Sequence, residues 1–265
     1  MIRFDIITIF PEGIAPLLHV GVLGAAQDSG YIEVRCHDLR DYTDDPHCVV
    51  DDRAYGGGPG MVMKVEPFVR AIESIAVAPA DRRRIVLMSS QGRLLRQADA
   101  RTWSELDQLV LLCGRYQGVD ERLIAYVDDE ISIGDFVIAG GESAAAVVVE
   151  ATARMAPGVV GQFQSVEGDS FFDGPRLGAP HYTRPAEFRG ASVPDVLLNG
   201  DHAKIERARQ RWAWEKTAKN RPDLLGLVPG AGGEKPATGD GPVEVELTRR
   251  SASGDDHLES VSGDG

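Results

Sequence analysis

Apolar and polar residues alternate along this chain in two periods, and the switches between them predict its elements. Residues 2–9 alternate loosely and predict a first strand, and Phe10-Pro11-Glu12 then opens a short helix, with Pro where its missing N–H costs little. Residues 22–28 predict a helical stretch stopped near Gly30, and 31–37 a second strand. Apolar spacing predicts a helix over 67–76, a strand over 84–88, a helix over 97–106 and an unbroken apolar strand over 109–113. After Gly114 a loop leads to Asp120, which suits the cap of a short helix through Leu123, Ile124 and Val127, with Glu121 in its first turn. A strand over 130–133, a loop of Gly-rich sequence and an Ala/Val-rich helix over 143–155 follow. Strands alternating with helices predict an α/β domain with a mostly parallel sheet.

Beyond Pro157-Gly158 the pattern changes. Residues 159–175 are rich in Gly and acids and read as a linker, and 194–198 and 201–219 read as helices. In the second of these, Ile205, Ala208 and Trp212 share one face, which suits a small core. From Pro229 the chain is Gly, Pro, Ser and acid with few apolar residues, a composition expected to be disordered. The expected organisation is therefore a domain over 1–158, a linker over 159–175, a small helical domain over 176–228 and an acidic tail over 229–265.

Composition narrows the partners. The net charge is −13, yet residues 181–222 carry nine Lys/Arg against five acids, and residues 230–265 carry eight acids against three basic residues. A basic segment inside an acidic protein suits a nucleic-acid contact, with the acidic end as a tail. No apolar run reaches membrane-spanning length, and the N-terminus reads as a strand, with no signal peptide. Cys36, Cys48 and Cys113 are scattered without a CxxC pair, which argues against a disulfide framework or zinc site and suits the cytoplasm.

Chemistry concentrates in loops at strand ends. Three of them, 89–92, 114–118 and 133–141, would converge beyond the carboxyl ends of parallel strands, where open α/β sheets bind ligands. Taken alone, 114–118 and 133–141 read equally as tight turns or as backbone that approaches a ligand closely, while 89–92 reads first as an ordinary strand-to-helix turn. No GxGxxG joins a first strand to a helix, which counts against a dinucleotide-dependent oxidoreductase. Four glycines in positions 56–60 follow Asp51-Asp52-Arg53, and no Gly-Lys-Ser/Thr makes them a phosphate loop.

The motifs VDDRAYGGGPGM, SSQGR, CGRYQGVDER, SIGDFVIAGGE, GDSFFDG and PHYTRP follow one another in this order over residues 1–228. In them the chain resembles the bacterial tRNA (guanine-N1)-methyltransferases, knotted methyltransferases of the SPOUT type that modify the guanine 3′ of the anticodon, position 37. The resemblance implies a C-terminal trefoil knot in the α/β domain, a small all-α C-terminal domain, and S-adenosylmethionine as cofactor. It implies cofactor contacts at Ser89, Ser90, Gln91, Gly92, Gly114, Arg115, Tyr116, Ile133, Gly134, Asp135, Phe136, Val137, Ile138, Gly140 and Gly141. Asp51, Arg53, His181, Tyr182, Arg184, Arg207 and Arg209 would meet tRNA, and Asp169 and Arg154 would be catalytic. It also implies a homodimer with sites at the subunit interface, and magnesium dependence, although no acid cluster in the sequence marks a metal site. Gln117 stands where many members have an acid, and Ser90 where Pro is common. The rival to an enzyme is an RNA-binding protein that keeps the fold without catalysis.

Overall fold

The structure of the chain is a computed structural model in which residues 1–227 are described. The tail expected over 229–265 lies outside the described residues. The chain divides into two compact units, Met1–Val166 and Glu167 onward.

The first unit is built on a five-stranded, wholly parallel sheet. Its strands are β1 (Ile2–Thr8), β2 (Ile32–Asp38), β5 (Arg83–Leu94), β6 (Gln108–Cys113) and β7 (Asp129–Ser132), in the spatial order β2-β1-β6-β5-β7. Two strands of two residues, β3 (Asp51–Asp52) and β4 (Val62–Met63), form a separate antiparallel pair.

The period of two sorts side chains to the two faces. Leu109, Leu111 and Cys113 of β6 join Phe4, Ile6, Val86 and Met88 in one apolar layer. Val110 and Leu112 join Ile7, Ile85 and Leu87 in the other. Buried on both faces, β6 has no polar alternation, as expected for the centre of a parallel sheet. Helix α2 (Gly21–Asp28) and helix α5 (Glu142–Ala153) cover the first layer, the latter through Ala144, Ala145, Val148 and Val149. Helix α3 (Val65–Ile75) covers the second with Phe68, Ala71, Ile72 and Ile75. Each such side chain removed from water contributes about 1.5–3 kcal/mol before chain entropy is subtracted.

A charge sits at the heart of this sheet. Asp5 of β1 is fully buried. Its Oδ1 accepts from His37 Nε2 at 2.8 Å, and its Oδ2 accepts from Arg3 Nε at 2.8 Å and Gln108 Nε2 at 2.6 Å. Burial pushes the Asp5 carboxyl up, but the hydrogen bonds from His37, Gln108 and Arg3 outweigh it and leave the group below the ordinary Asp value. A depressed folded-state value means that the stabilisation is present above the unfolded value of about 3.9 and is lost as pH falls toward the folded one. Asp5→Ala should therefore cost about 3–5 kcal/mol at neutral pH, a fall of roughly 6–20 °C in Tm. The gap to wild type should narrow below about pH 4; thermal melts over pH 3–7 check this, and a gap independent of pH would refute the ionic account.

The element pattern departs from the sequence in a few places. β5 does not stop at Met88 but runs to Leu94, with a register shift inside it. The helix expected over 97–106 ends at Trp103, as α4 (Gln97–Trp103). The turn after Asp120 is a 3-10 helix, Glu121–Tyr126, and the Asp120 side chain caps it by accepting from Arg122 N at 3.0 Å. The Arg122 guanidinium beside Asp120 holds that carboxyl down to about 2.

The segment read as a linker contains one helical turn, Gln164–Glu167, whose Val166 is buried. The second unit is not purely helical. It pairs Glu187–Phe188 with Ala191–Ser192 in a minimal hairpin, and residues 194–198 form a 3-10 turn, Asp195–Leu197. Its long helix, His202–Asn220, is capped by Asp201, which accepts from Lys204 N at 3.1 Å. Ala208, Ala213 and Thr217 are buried in it, with Ile205 and Trp212 half-buried.

Candidate functional site

At the carboxyl ends of β6 and β7 and the register break within β5, the first unit carries a cleft of about 370 Å³, within the size range of small-ligand sites. Three loops make it, and the local sequence explains each. The first is a loop thrown out of β5. Met88 and Arg93 both register with Ile131 of β7, so residues 89–92 are the extra residues between them. Gly92 returns the chain to the sheet; a Cβ there would overlap the backbone of Glu130 and Ile131. The second loop begins at Gly114, and Tyr116 in it has a left-handed φ of 62°, a conformation that costs a non-glycine residue energy and clusters at functional sites. The third, 133–141, comes back antiparallel to the second through a bridge between Arg115 and Gly140, and Gly141 N donates to Gly114 O at 2.9 Å. A Cβ on Gly141 would stand 2.8 Å from Cys113 Cα, so only glycine permits this approach.

An ion pair locks the second and third loops together. Arg115 Nε donates to both carboxylate oxygens of Glu142 at 3.1 Å, and its Nη2 reaches Oε2 at 3.0 Å. Glu142 is buried, and its Oε1 accepts a further bond from Thr8 Oγ1 at 2.6 Å. The Arg115 guanidinium also lies over the Phe10 ring, 4.5 Å from its centroid. Sequence reasoning assigns no site role to Thr8, Phe10 or Glu142. An acid directly after Gly140-Gly141 was the available signal for Glu142; nothing local pointed to Thr8.

Of the fifteen residues expected to meet a cofactor, all but Gly92 and Asp135 line the cleft. Gly92 packs against the backbone of Glu130 and Ile131, which do line it, and Asp135 is exposed outside its wall. Phe136, Val137 and Ile138 present an apolar wall that is open to solvent, Val137 being 85% exposed.

The Asp51–Arg53 segment is brought beside this cleft. Its hairpin is stitched to the second loop by Met63 N to Gly118 O at 3.0 Å, Gln117 N to Met61 O at 3.0 Å and Asp120 N to Met63 O at 2.9 Å. Arg53 is exposed just beyond β3. Arg154 caps the carboxyl end of α5 and is exposed, in the first unit. Asp169 is exposed in the second unit, just after the Gln164–Glu167 turn.

The second unit has its own hollow of about 440 Å³, lined by His181, Tyr182, Arg184 and Arg209 with an apolar floor of Val193, Leu197 and Ile205. Tyr182 meets Trp212 edge to face, their centroids 6.2 Å apart. Arg207 lies outside the hollow's wall, exposed on the long helix.

A family model described as tRNA (Guanine-1)-methyltransferase TrmD matches residues 2–226. The chain belongs to the tRNA (guanine-N1)-methyltransferase family. Curated relatives named tRNA (guanine-N(1)-)-methyltransferase agree with this. The one from Geobacter metallireducens is 49% identical over 224 residues, covering 84% of this chain and 91% of the relative. Those from Frankia alni and Thermotoga maritima are 50% and 48% identical, again over 84% of this chain, and over 84% and 90% of their own.

As a tRNA (guanine-N1)-methyltransferase the chain is an enzyme, and its matched span includes the cleft, the glycine hairpin, Arg154, Asp169 and the long helix. Cys113, beneath the cleft, is no nucleophile for it. Burial, and then the charge of Glu142, push that thiol well above its usual value. Among the described residues no group of three or more His, Cys, Asp and Glu is placed to hold a metal ion, and no helix is long and apolar enough to cross a membrane.

Proposed function

We propose that this cytoplasmic enzyme transfers the methyl group of S-adenosylmethionine to N1 of the guanine at position 37, on the 3′ side of the tRNA anticodon. The observation that carries the cofactor reading is the cleft itself. It combines an apolar wall, Phe136 to Ile138, fit for a flat heterocycle, with backbone groups of three loops available for polar contacts. The interlocked loops, with no room for a Cβ at Gly92 or Gly141, fit the trefoil knot that the resemblance implies. When bound, S-adenosylmethionine supplies a methyl carbon made electrophilic by its sulfonium.

The chain's own residues do the rest. Guanine N1 carries a proton and is a poor nucleophile until that proton is removed. Asp169 accepts it as general base. The N1 lone pair then forms the new bond to the methyl carbon as the bond to sulfur breaks, leaving S-adenosylhomocysteine. Negative charge grows on guanine O6, and the Arg154 guanidinium stabilises it. Asp51 and Arg53, on the hairpin tied to the cleft, border the target base. His181, Tyr182 and Arg184 offer aromatic faces and a cation to unpaired nucleotides, while Arg207 and Arg209 track phosphates.

The active form is a homodimer whose sites lie between subunits; the exposed apolar wall at 136–138 is the kind of surface that a second copy would cover. The working organisation is a domain over 1–158, a linker over 159–175 and a tRNA-binding domain over 176–228. A magnesium ion would be carried by oxygens of the substrates, since it keeps its waters and rarely uses an all-protein cage.

Incubating purified protein with tRNA and labelled S-adenosylmethionine, then mapping the modified nucleotide, tests the whole reading. Label on any atom other than N1 of guanine 37, or no label, would refute it. A narrower test concerns the long helix. Replacing Arg207, Arg209 and Arg211 together by Ala should weaken tRNA binding and flatten the slope of log Kd against log salt by about 1 per lost phosphate contact. Arg211 is held 3.7 Å from Glu215 and should contribute least. An unchanged slope would remove this helix from the RNA interface.

A further inference from the structure

Three acids stand in a row at the start of β7, and two of them are in use. Asp128 Oδ2 accepts from the backbone N of Ile85 at 2.8 Å, joining β7 to β5. Asp129 Oδ1 accepts from Arg93 Nη2 at 3.0 Å and Nε at 3.2 Å, which pins the strand just after the expelled loop 89–92. The third, Glu130, is half-buried and has no hydrogen-bond or ion-pair partner for its carboxylate among the described residues. It belongs to the cleft wall. Its register partner is Leu87, so its side chain leaves the sheet on the same face as that residue, which also lines the cleft.

The charge balance of the cleft gives Glu130 its meaning. The cation in the wall, Arg115, is already neutralised by Glu142. The other acid in the wall, Glu121, is exposed at the rim, where water solvates it. A half-buried carboxylate without a partner is costly, and a cationic ligand group relieves that cost. S-adenosylmethionine has two cationic centres, the sulfonium and the α-ammonium. A carboxylate oxygen held against the sulfonium methyl would compete with guanine as a nucleophile. The ammonium has N–H donors and no role in the transfer.

We propose that Glu130 receives the α-ammonium group of the methyl donor and so selects ligands that carry an amino-acid end. This rests on the reading of the cleft as the S-adenosylmethionine site. It makes Glu130 a binding determinant rather than a catalytic residue.

Three ligands separate the possibilities when titrated calorimetrically into the full-length protein. S-adenosylmethionine has both cations, S-adenosylhomocysteine has the ammonium alone, and 5′-methylthioadenosine has neither. Glu130→Gln should weaken the first two alike, by about 10–100-fold, and leave 5′-methylthioadenosine within about twofold of wild type, since it lacks the group recognised. Glu130→Asp, which keeps the charge on a shorter arm, should recover part of the loss. Glu121→Gln should change none of the three. Loss confined to S-adenosylmethionine would overturn the proposal in favour of a sulfonium contact. Parallel loss of all three ligands, with Glu130→Asp no better, would overturn it too, because the carboxylate would then serve the nucleoside or the cleft's shape. Unaltered S-adenosylmethionine binding in Glu130→Gln would overturn it outright. If the wild-type protein bound none of the three ligands, the cofactor reading itself would fall.

Discussion

Replacing Asp169 by Asn should lower the single-turnover rate of methyl transfer by about 10²–10⁴-fold at saturating tRNA. Asn keeps the shape and one acceptor oxygen but takes no proton at neutral pH. Asp169 is not part of the three loops that make the cleft, so S-adenosylmethionine affinity should be untouched. Raising the pH should restore part of the mutant's rate, because guanine N1 then begins to ionise without help. The exposed position after the Gln164–Glu167 turn suits a base supplied by a segment that orders over bound RNA. Near wild-type turnover in Asp169→Asn would assign the base elsewhere. Asp51 would be tested next, since its hairpin is tied to the cleft loops, whereas Asp173 is engaged with Arg176 Nη2 at 3.3 Å.

Glu142→Ala should lower stability by about 3–5 kcal/mol, the usual result of stripping one partner from a buried ion pair. Thr8 Oγ1 and the Arg115 guanidinium would both lose their acceptor. In a unit of this size that is a fall of roughly 6–20 °C in Tm. The cleft should suffer as well. Arg115 belongs to the second loop and Glu142 directly follows the third, so their bond sets the gap between the two walls. The double variant Arg115→Met/Glu142→Leu separates the two effects. A buried pair exchanged for apolar residues of similar size is often neutral in stability, so Tm should recover. Cofactor binding should not, because apolar contact fixes no distance between the loops as a two-point ion pair does. Recovery of both would show that the pair only fills space; recovery of neither would show that the site does not tolerate apolar packing.

Much of the α/β unit was legible in the sequence. The strands near 2–9, 31–37, 84–88, 109–113 and 130–133 all exist within a few residues, and all five pair in parallel. That follows from local physics. A period of two, a period of 3.6 and an unbroken apolar run such as 109–113 each report how a segment is buried. The place of the cleft's loops was legible too, since open parallel sheets gather such loops beyond their strand ends, but their use was not, because a Gly-rich loop there is locally the same as a tight turn. The extra length of β5 was not. Ser89 to Gly92 read as a turn because Gly and Ser break a strand locally, and only the neighbouring strand reveals that the chain leaves the sheet and rejoins it at the same residue, Ile131. The small hairpin in the second unit was missed because strands of two residues have no periodicity to detect.

The chain by itself determined its elements, their burial, the basic stretch before an acidic end, and a set of motifs sufficient to place it in its family. Tertiary structure decided the strand order β2-β1-β6-β5-β7, the pairing of Arg115 with Glu142, and the partner that Thr8 finds 134 residues away. It also decided which of three adjacent acids is left without a partner among the described residues. Periodicity records whether a side chain is buried, and it is a property of neighbours along the chain. Which charge meets which is a property of neighbours in space, set only when the sheet has closed and water has been removed from between them.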